Sequence, residues 1–246
     1  MWTLAVFSPT RNMNFITDNL LAVRERIGKA CATSHRAPES VQLLAVSKKF
    51  NAATVQLAIA AGLTDFGENY LQEGLDKIAA LPREKLSWHF IGPVQSNKTR
   101  GLAEQFDWVH SVDRLKIAQR LSEQRPASLP PLNVCVQVNI SGEASKSGCA
   151  PVEALALCQA VAALPRLKLR GLMAIPAPVA DGADPRAPFR ALRELFEQTR
   201  ASSEVGAGFD TLSAGMSDDL EAAIAEGATM VRIGTAIFGS RSSKGL

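Results

Sequence analysis

The sequence has few cysteines, and they form no recognisable pairing motif. Cys31, Cys135, Cys149 and Cys158 are the four cysteines, and no C-x-x-C pair occurs among them. A chain of 246 residues is also long enough to bury a stable core without disulfide bonds. We therefore expect reduced, buried thiols in a cytoplasmic protein.

Signatures of metal, nucleic-acid and membrane binding are also missing. The three histidines, His35, His89 and His110, lack the spacing of a zinc site, and we expect packed or surface imidazoles. A net charge of +3 without a long basic run argues against a nucleic-acid partner. The apolar start Met1–Phe7 is too short to cross a bilayer and has no charged beginning, so we expect no membrane partner.

The overall composition is that of a globular protein, with 46% apolar and 21% charged residues and no break that marks a second domain. We divide the chain into a disordered extension over 1–13, one domain over 14–241 and a tail over 242–246. Met13 is an alternative start of the protein.

Short apolar strands alternate with amphipathic helices along the domain. An additional helix comes first, because Ile16, Leu20, Val23 and Ile27 follow a helical period from Asn14 to about Ser34. The predicted strands are Leu43–Lys48, Asp65–Glu68, Trp88–Ile91, Trp108–Ser111, Asn133–Ile140, Leu169–Met173, Thr211–Ser213 and Met230–Ile233. The predicted helices between them are Val55–Ala61, Tyr70–Ile78, Gln95–Glu104, Asp113–Glu123, Pro151–Leu164, Phe189–Ser202 and Asp218–Glu226, with Asp113 as the cap of its helix. Eight strands in strict alternation with helices predict an α/β fold, a closed (β/α)8 TIM barrel.

The first strand ends in two lysines. In such a barrel the active surface is the ring of loops after the strands, so Lys48 and Lys49 stand where ligands bind. A lysine there is either a surface residue that keeps its ammonium in water or a working amine. The strand alone leaves both interpretations open.

The loops after the last two strands have the features of a phosphate site. The turn Leu212–Asp219 contains a glycine and presents Ser217 as the cap of a helix, where free N–H groups attract anions. Gly234 and Thr235 follow the last strand and offer a close backbone approach and a hydroxyl donor. The alternative is that Ser217 only caps and Gly234 only turns, and the acidic Asp218 and Asp219 favour that alternative.

An amine and a phosphate site together predict a ligand with a carbonyl and a phosphate. Lysine forms Schiff bases with carbonyls when burial lowers its pKa, and pyridoxal 5'-phosphate carries both groups on one ring. Arg232 on the last strand could face the pyridine nitrogen, or it could pair with a carboxylate in the barrel wall. A sugar phosphate bound by an aldolase-type lysine would use the same parts.

Seven motifs in the same order resemble the pyridoxal phosphate homeostasis protein family, single-domain relatives of the alanine racemase N-terminal barrel. They are Leu43–Lys48, Phe66–Tyr70, Trp88–Gly92 with Gln95, Asn97 and Lys98, Val138–Ile140 with Lys146 and Gly148, Arg170–Met173, Leu212–Ser217 and Val231–Gly239. The resemblance covers about Asn14 to Arg241. The chain departs from the family pattern at Lys49-Phe50 and at Ala214, and neither departure removes a ligand.

The resemblance implies a role for each site residue. Lys48, rather than Lys49, is then the aldimine lysine, and Asn69 lies near the cofactor. Ser217, Gly234 and Thr235 would hold the phosphate, and Arg232 would face the ring nitrogen.

The resemblance implies a monomeric cofactor carrier for pyridoxal 5'-phosphate, which buffers it without catalytic turnover and has cofactor-free enzymes as candidate partners. The alternative is an amino-acid racemase or decarboxylase on the same barrel. Racemisation needs a second base opposite the lysine, and Tyr70, the single tyrosine, is expected to be a packing residue with a satisfied hydroxyl. A guanidinium at the ring nitrogen also makes the ring a weaker electron sink.

Overall fold

A computed structural model describes residues 9–143, 146–180 and 182–239. Positions 1–8 of the predicted extension therefore lie outside the described residues. The predicted tail over 242–246 and the last two positions of the predicted domain also lie outside them. Parts of the loops around positions 144 and 181 are also outside them.

Parallel strands close into a barrel whose strand order follows the sequence. In the described part of the chain these strands are β1 (Gln42–Val46), β2 (Asp65–Glu68), β3 (Ser87–Phe90), β4 (Trp108–Val112), β5 (Leu132–Gln137), β6 (Leu167–Met173), β7 (Thr211–Ser213) and β8 (Met230–Ile233). The fold predicted from the alternation of strands and helices is confirmed.

Helices connect the strands and cover the outside of the barrel. They are α1 (Pro9–Thr33), α2 (Ala52–Ala60), α3 (Leu71–Ala80), α4 (Thr99–Gln105), α5 (Leu115–Gln124), α6 (Ala154–Ala162), α7 (Ala187–Arg200), α8 (Leu220–Ala225) and α9 (Thr235–Phe238). Short 3₁₀ turns lie at Pro38–Ser40, Ser96–Lys98 and Pro151–Glu153. None of the helices in the described ranges combines the length and the apolar character that crossing a membrane requires.

Alternating side chains of each strand face two different cores. Ala45 of β1 and Val231 and Ile233 of β8 pack in the large cluster that also contains helix residues, so they face the helices. Leu44 and Val46 belong instead to a small separate cluster with Ile91 and Met230. This cluster fills part of the barrel interior.

The barrel is closed by the pairing of its first and last strands. Leu43 of β1 pairs with Val231 of β8, and Ala45 pairs with Ile233. The helix α1 packs over this junction, against α8 and α9. Its predicted apolar face is buried, and Arg26 on its other side donates to a Glu221 carboxylate oxygen at 2.8 Å. The additional helix thus covers the closure of the barrel.

Several local predictions are wrong at helix ends. The helix α1 begins at Pro9, ahead of Asn14. Asp113 does not cap α5, because Arg114 occupies the cap position and the Asp113 carboxylate pairs with the Arg114 guanidinium at 2.6 Å. The short helix α9 after the last strand was not predicted. The Asp113–Arg114 contact joins sequence neighbours, and the helical spacing alone did not predict it.

Candidate functional site

Lys48 follows β1 at the carboxyl end of the barrel. Leu44 and Val46 face the interior and Ala45 faces the helices, so Ser47 continues the alternation toward the helices. The contacts of Ser47 agree, because its hydroxyl donates to Glu68 at 2.5 Å in the layer between barrel and helices. Lys48 itself is half-buried in the turn after the strand. The first strand therefore ends two residues before Lys48, at the end of the barrel where parallel strands leave the sheet.

Lys49 has a different environment. It is exposed, with a positive φ of 65°, and its backbone N–H donates to Glu73 of α3 at 2.7 Å. Its ammonium lies 6.0 Å from the centre of the Tyr70 ring. The two adjacent lysines are thus separated by the turn, and Lys49 lies on the helix side.

A buried ion pair secures the end of β1 from outside the barrel. The Lys77 ammonium of α3 contacts the Glu68 carboxylate at 2.6 Å and donates to the backbone oxygen of Ser47 at 2.7 Å. Burial raises the pKa of Glu68, and the nearby Lys77 ammonium and the Ser47 hydroxyl only partly oppose this. Oε2 of Glu68 has no hydrogen-bond partner in the described residues. This cluster holds the backbone immediately before Lys48.

Arg232 of β8 is a buried cation inside the barrel. Its guanidinium donates from Nη1 to the Ser213 backbone oxygen at 2.7 Å and to Ser213 Oγ at 3.0 Å, and from Nη2 to the Ala174 oxygen at 2.9 Å. Burial lowers its pKa to about 10, although the Asp219 carboxylate partly opposes this. Among the described residues no carboxylate forms an ion pair with it. The alternative of an arginine paired to a carboxylate in the barrel wall is therefore wrong.

The predicted phosphate residues meet after β7 and β8. Thr235 Oγ1 lies 3.3 Å from Ser217 Oγ, so the two hydroxyls face the same place. A Cβ atom on Gly234 would lie 3.2 Å from the Val46 oxygen, so a side chain there would crowd the end of β1. The structure thus brings Ser217, Gly234 and Thr235 together next to the strand that carries Lys48.

The prediction that Ser217 caps a helix is wrong. Asp219 occupies the cap position of α8, and its carboxylate accepts a hydrogen bond from the Met216 N–H at 2.5 Å. Burial raises the pKa of Asp219. The hydrogen bond from the Met216 N–H and the positive charge of Arg232 partly oppose this rise. Ser217 lies in the turn before the helix, and its backbone oxygen accepts a hydrogen bond from Arg26 at 2.9 Å. Its hydroxyl is therefore not used for capping.

Asn69 follows β2 and carries an unpaired buried oxygen. No hydrogen-bond partner of its Oδ1 is found in the described part of the chain. Its backbone is packed tightly against the next loop, since a Cβ atom on Gly92 would lie 2.2 Å from the backbone oxygen of Asn69. The glycine after β3 thus allows the two loops to approach each other.

Tyr70 is not the packing residue that the sequence predicted. Its side chain is 48% exposed beside Lys49, outside the apolar core. The neighbouring residue Leu71, and not Tyr70, packs against the apolar core. The position is open to solvent.

Sequence reasoning missed the polar interior of the barrel. His89 and His110 are fully buried, and Nδ1 of His89 lies 2.9 Å from Nε2 of His110. The alternation of β3 contains a signal for this, because Trp88 and Phe90 face the helices and direct the intervening His89 inward. Within the described ranges no cluster of three metal-ligating side chains is present.

Comparisons with known proteins agree with the geometry. The profile of the family described as alanine racemase, N-terminal domain, matches residues 19–242. The chain is 64% identical over 229 residues to the pyridoxal phosphate homeostasis protein of Pseudomonas aeruginosa, with 93% of this chain and 97% of that protein covered. It is 55% identical over 239 residues to the protein of the same name from Escherichia coli, with 93% and 98% covered.

A solved structure of a similar protein contains a ligand. It is PipY of Synechococcus elongatus with PLP bound, which has a TM-score of 0.77 and 34% identity to this chain. The similarity covers 91% of this chain and all of PipY, 100%. The fold is therefore shared with a protein whose solved structure contains PLP.

The buried ion pair generates a prediction for stability. We expect Lys77→Met to lower the free energy of unfolding by about 3–5 kcal/mol at pH 8, because the Glu68 carboxylate stays buried without its partner. The loss should be smaller at pH 5. Burial raises the folded-state pKa of Glu68 above its unfolded value, so the protonated form stabilises the fold and this contribution disappears as pH rises.

Urea unfolding of both proteins at pH 5 and pH 8 measures this difference. Lys29→Met is the matched control, because Lys29 forms an ion pair with Glu25 at 2.6 Å on the exposed face of α1. The control should be close to wild type at both pH values. If Lys77→Met lowers the free energy of unfolding equally at pH 5 and pH 8, the loss does not arise from a Glu68 carboxylate left without its partner, and the prediction is wrong.

Proposed function

The chain belongs to the pyridoxal phosphate homeostasis protein family, whose members share the alanine racemase N-terminal barrel, and on that premise we propose that it binds pyridoxal 5'-phosphate through Lys48. The observation that carries the proposal is the closure of the barrel. Pairing of β1 with β8 sets the strand that leads into Lys48 beside the strand that carries Arg232 and leads into Gly234 and Thr235. An amine, a buried guanidinium and two hydroxyls thereby surround one mouth.

The residues present fit this cofactor. Three of the five N–H groups of Arg232 are used by the protein, and the others have no acceptor among the described residues. A buried cation of this kind is stabilised by a ligand that accepts a hydrogen bond. The Ser217 and Thr235 hydroxyls can donate to a phosphate, and the unpaired oxygen of Asn69 can accept from a ligand donor.

When bound, pyridoxal phosphate supplies an aldehyde on an electron-accepting pyridine ring. In the proposed site Lys48 provides the amine that attaches this group covalently. Arg232 donates to the ring nitrogen, and it keeps its proton at neutral pH because its pKa, though lowered by burial, is about 10. Ser217, Gly234 and Thr235 hold the phosphate, and Asn69 borders the ring.

We propose that the protein holds and releases the cofactor without catalytic turnover of its own. The curated relatives are named for homeostasis of the cofactor. Tyr70, the single tyrosine, lies half-exposed beside Lys49 rather than inside the barrel, which disfavours it as a second base. In this role a cytoplasmic monomer suffices, because all proposed contacts belong to one barrel, and enzymes that lack their cofactor are the proposed recipients.

The central prediction concerns the identity of the lysine. Incubation with pyridoxal 5'-phosphate, reduction with borohydride and peptide mapping by mass spectrometry should find the cofactor mass on Lys48. Lys48→Ala should lose this adduct completely, since the proposed attachment is through the Lys48 amine. Lys49→Ala is the matched control and should retain it. An adduct on Lys49 in the wild-type protein would refute the assignment.

The phosphate contacts can be tested with two ligands. The double variant Ser217→Ala/Thr235→Ala should bind pyridoxal 5'-phosphate about tenfold or more weakly, because it lacks hydroxyl donors to a charged group. Its affinity for unphosphorylated pyridoxal should stay close to that of wild type, and this ligand is the control. Both affinities can be measured by spectroscopic titration. Unchanged affinity for the phosphorylated ligand would place the phosphate elsewhere.

The absence of turnover is a separate prediction. We expect the cofactor-loaded protein not to exchange the α-hydrogen of L- or D-alanine, serine or lysine in deuterated water faster than the blank, since Tyr70, the single tyrosine, is exposed beside Lys49 and poorly placed as a second base. Exchange and chirality are followed by NMR, with Lys48→Ala protein and free cofactor as the blank. Faster exchange with any substrate would favour the alternative of a racemase.

A further inference from the structure

We propose that His89 and His110 are positioning residues of the cofactor site, in a directed hydrogen-bond chain that runs through the barrel from Arg232 to Asp65. This proposal rests on the proposed function, because the group to be positioned is the arginine that meets the ligand. The chain gives the two buried histidines a role that the site described above does not contain.

The chain is continuous across the barrel interior. From Arg232, Nη1 reaches Ser213 Oγ at 3.0 Å, and Ser213 Oγ lies 3.0 Å from Nδ1 of His110. Nε2 of His110 lies 2.9 Å from Nδ1 of His89, whose Nε2 lies 3.3 Å from Oδ1 of Asp65. The first residue of β2 is thereby connected to the inner face of β8.

Asp65 sets the direction of the chain. Burial opposes ionisation of Asp65, but hydrogen bonds from His89 and Thr64 outweigh it and keep the pKa of this carboxyl below its usual value. An ionised carboxylate can only accept hydrogen bonds. Nε2 of His89 must therefore carry the proton, with the Ser87 hydroxyl at 2.9 Å as a further partner. Nδ1 of His89 is then an acceptor.

The hydrogen bonds at the Arg232 end of this series have the same direction. Burial lowers the pKa of His89 and, further, that of His110, so both rings are neutral and each carries one proton. Because Nδ1 of His89 accepts, His110 carries its proton on Nε2 and its Nδ1 accepts from Ser213. Ser213 can donate there because its oxygen already accepts from Arg232. Every donor thus points from Arg232 toward Asp65.

The rings are held in place by packing as well. The His89 ring is stacked on the Trp108 indole, with centroids 5.2 Å apart and an angle of 11° between the planes. Ser213 and both histidines are fully buried, so water does not compete for these bonds. A rigid chain of this kind fixes the Ser213 hydroxyl, which in turn limits the orientations of the Arg232 guanidinium.

Asp210 provides a matched control for Asp65. It precedes β7 at the same amino-terminal end of the barrel, and its Oδ2 accepts from the Arg170 guanidinium at 2.7 Å. Among the described residues Asp210 forms no hydrogen bond with either histidine or with Arg232; its carboxylate pairs with Arg170 and Thr211. Asp65→Asn and Asp210→Asn remove the same charge at the same end, but only the first replaces the carboxylate that directs the hydrogen-bond chain by an amide, which can both accept and donate.

The first measurement uses wild-type protein without ligand. Long-range proton–nitrogen NMR spectra report which ring nitrogen carries the proton, and the exposed His35 is assigned with His35→Asn. We expect His89 and His110 both to carry the proton on Nε2. A proton on Nδ1 of His110 would overturn the directed chain whether or not the protein binds the cofactor.

The second measurement follows pyridoxal 5'-phosphate binding and the absorption band of the bound ligand. Asp65→Asn should weaken binding about fivefold and shift the band, because a neutral acceptor no longer fixes the chain. Asp210→Asn should leave both unchanged, and urea unfolding corrects for general stability. Equal effects of the two variants would overturn the positioning role, and a wild-type protein that does not bind the ligand would instead refute the proposed function.

Discussion

The pairing of β1 with β8 is the constraint on which the rest of the structure depends. These strands come from opposite ends of the domain, and their hydrogen bonds close the barrel. A closed barrel has no sheet edge and buries both faces of each strand. It also sets the strand that leads into Lys48 beside the strand that carries Arg232 and leads into Thr235. The helix α1 protects this closure by packing over α8 and α9.

Buried charge in this barrel is divided between two layers. The Glu68–Lys77 pair lies between the barrel and the helices, where each charge has its partner. Arg232 lies inside the barrel, where its hydrogen bonds within the described residues go to neutral oxygens of Ser213 and Ala174. Desolvation of an unpaired cation is costly, so apolar packing does not explain an arginine at this position. The proposed ligand, which accepts hydrogen bonds, would offset this cost.

Local signals and tertiary contacts differ in how far they can be predicted. Short segments between turn residues and helices were sufficient to place β1, β2, β7 and β8, because a strand buried on both faces is a short run that can be recognised locally. The caps were less predictable. Asp113 and Ser217 both stand just before a helix, yet Arg114 and Asp219 occupy the cap positions of α5 and α8. The exposure of Tyr70 was also not predictable from the sequence, because it depends on which side chains pack around its ring in the folded loop.

The sequence by itself determined the barrel, the family and the residues from which the site is built. Strand order follows chain order, and the residue types at Lys48, Asn69, Ser217, Gly234 and Thr235 are readable as letters. Only the tertiary structure decided which of these groups meet and which polar groups share the interior. The hydrogen-bonded rings of His89 and His110 lie on neighbouring strands, and Ser213 and Arg232 join them from the far side of the sequence. Distances between residues that are remote in the chain arise from closure of the barrel, which no local pattern encodes.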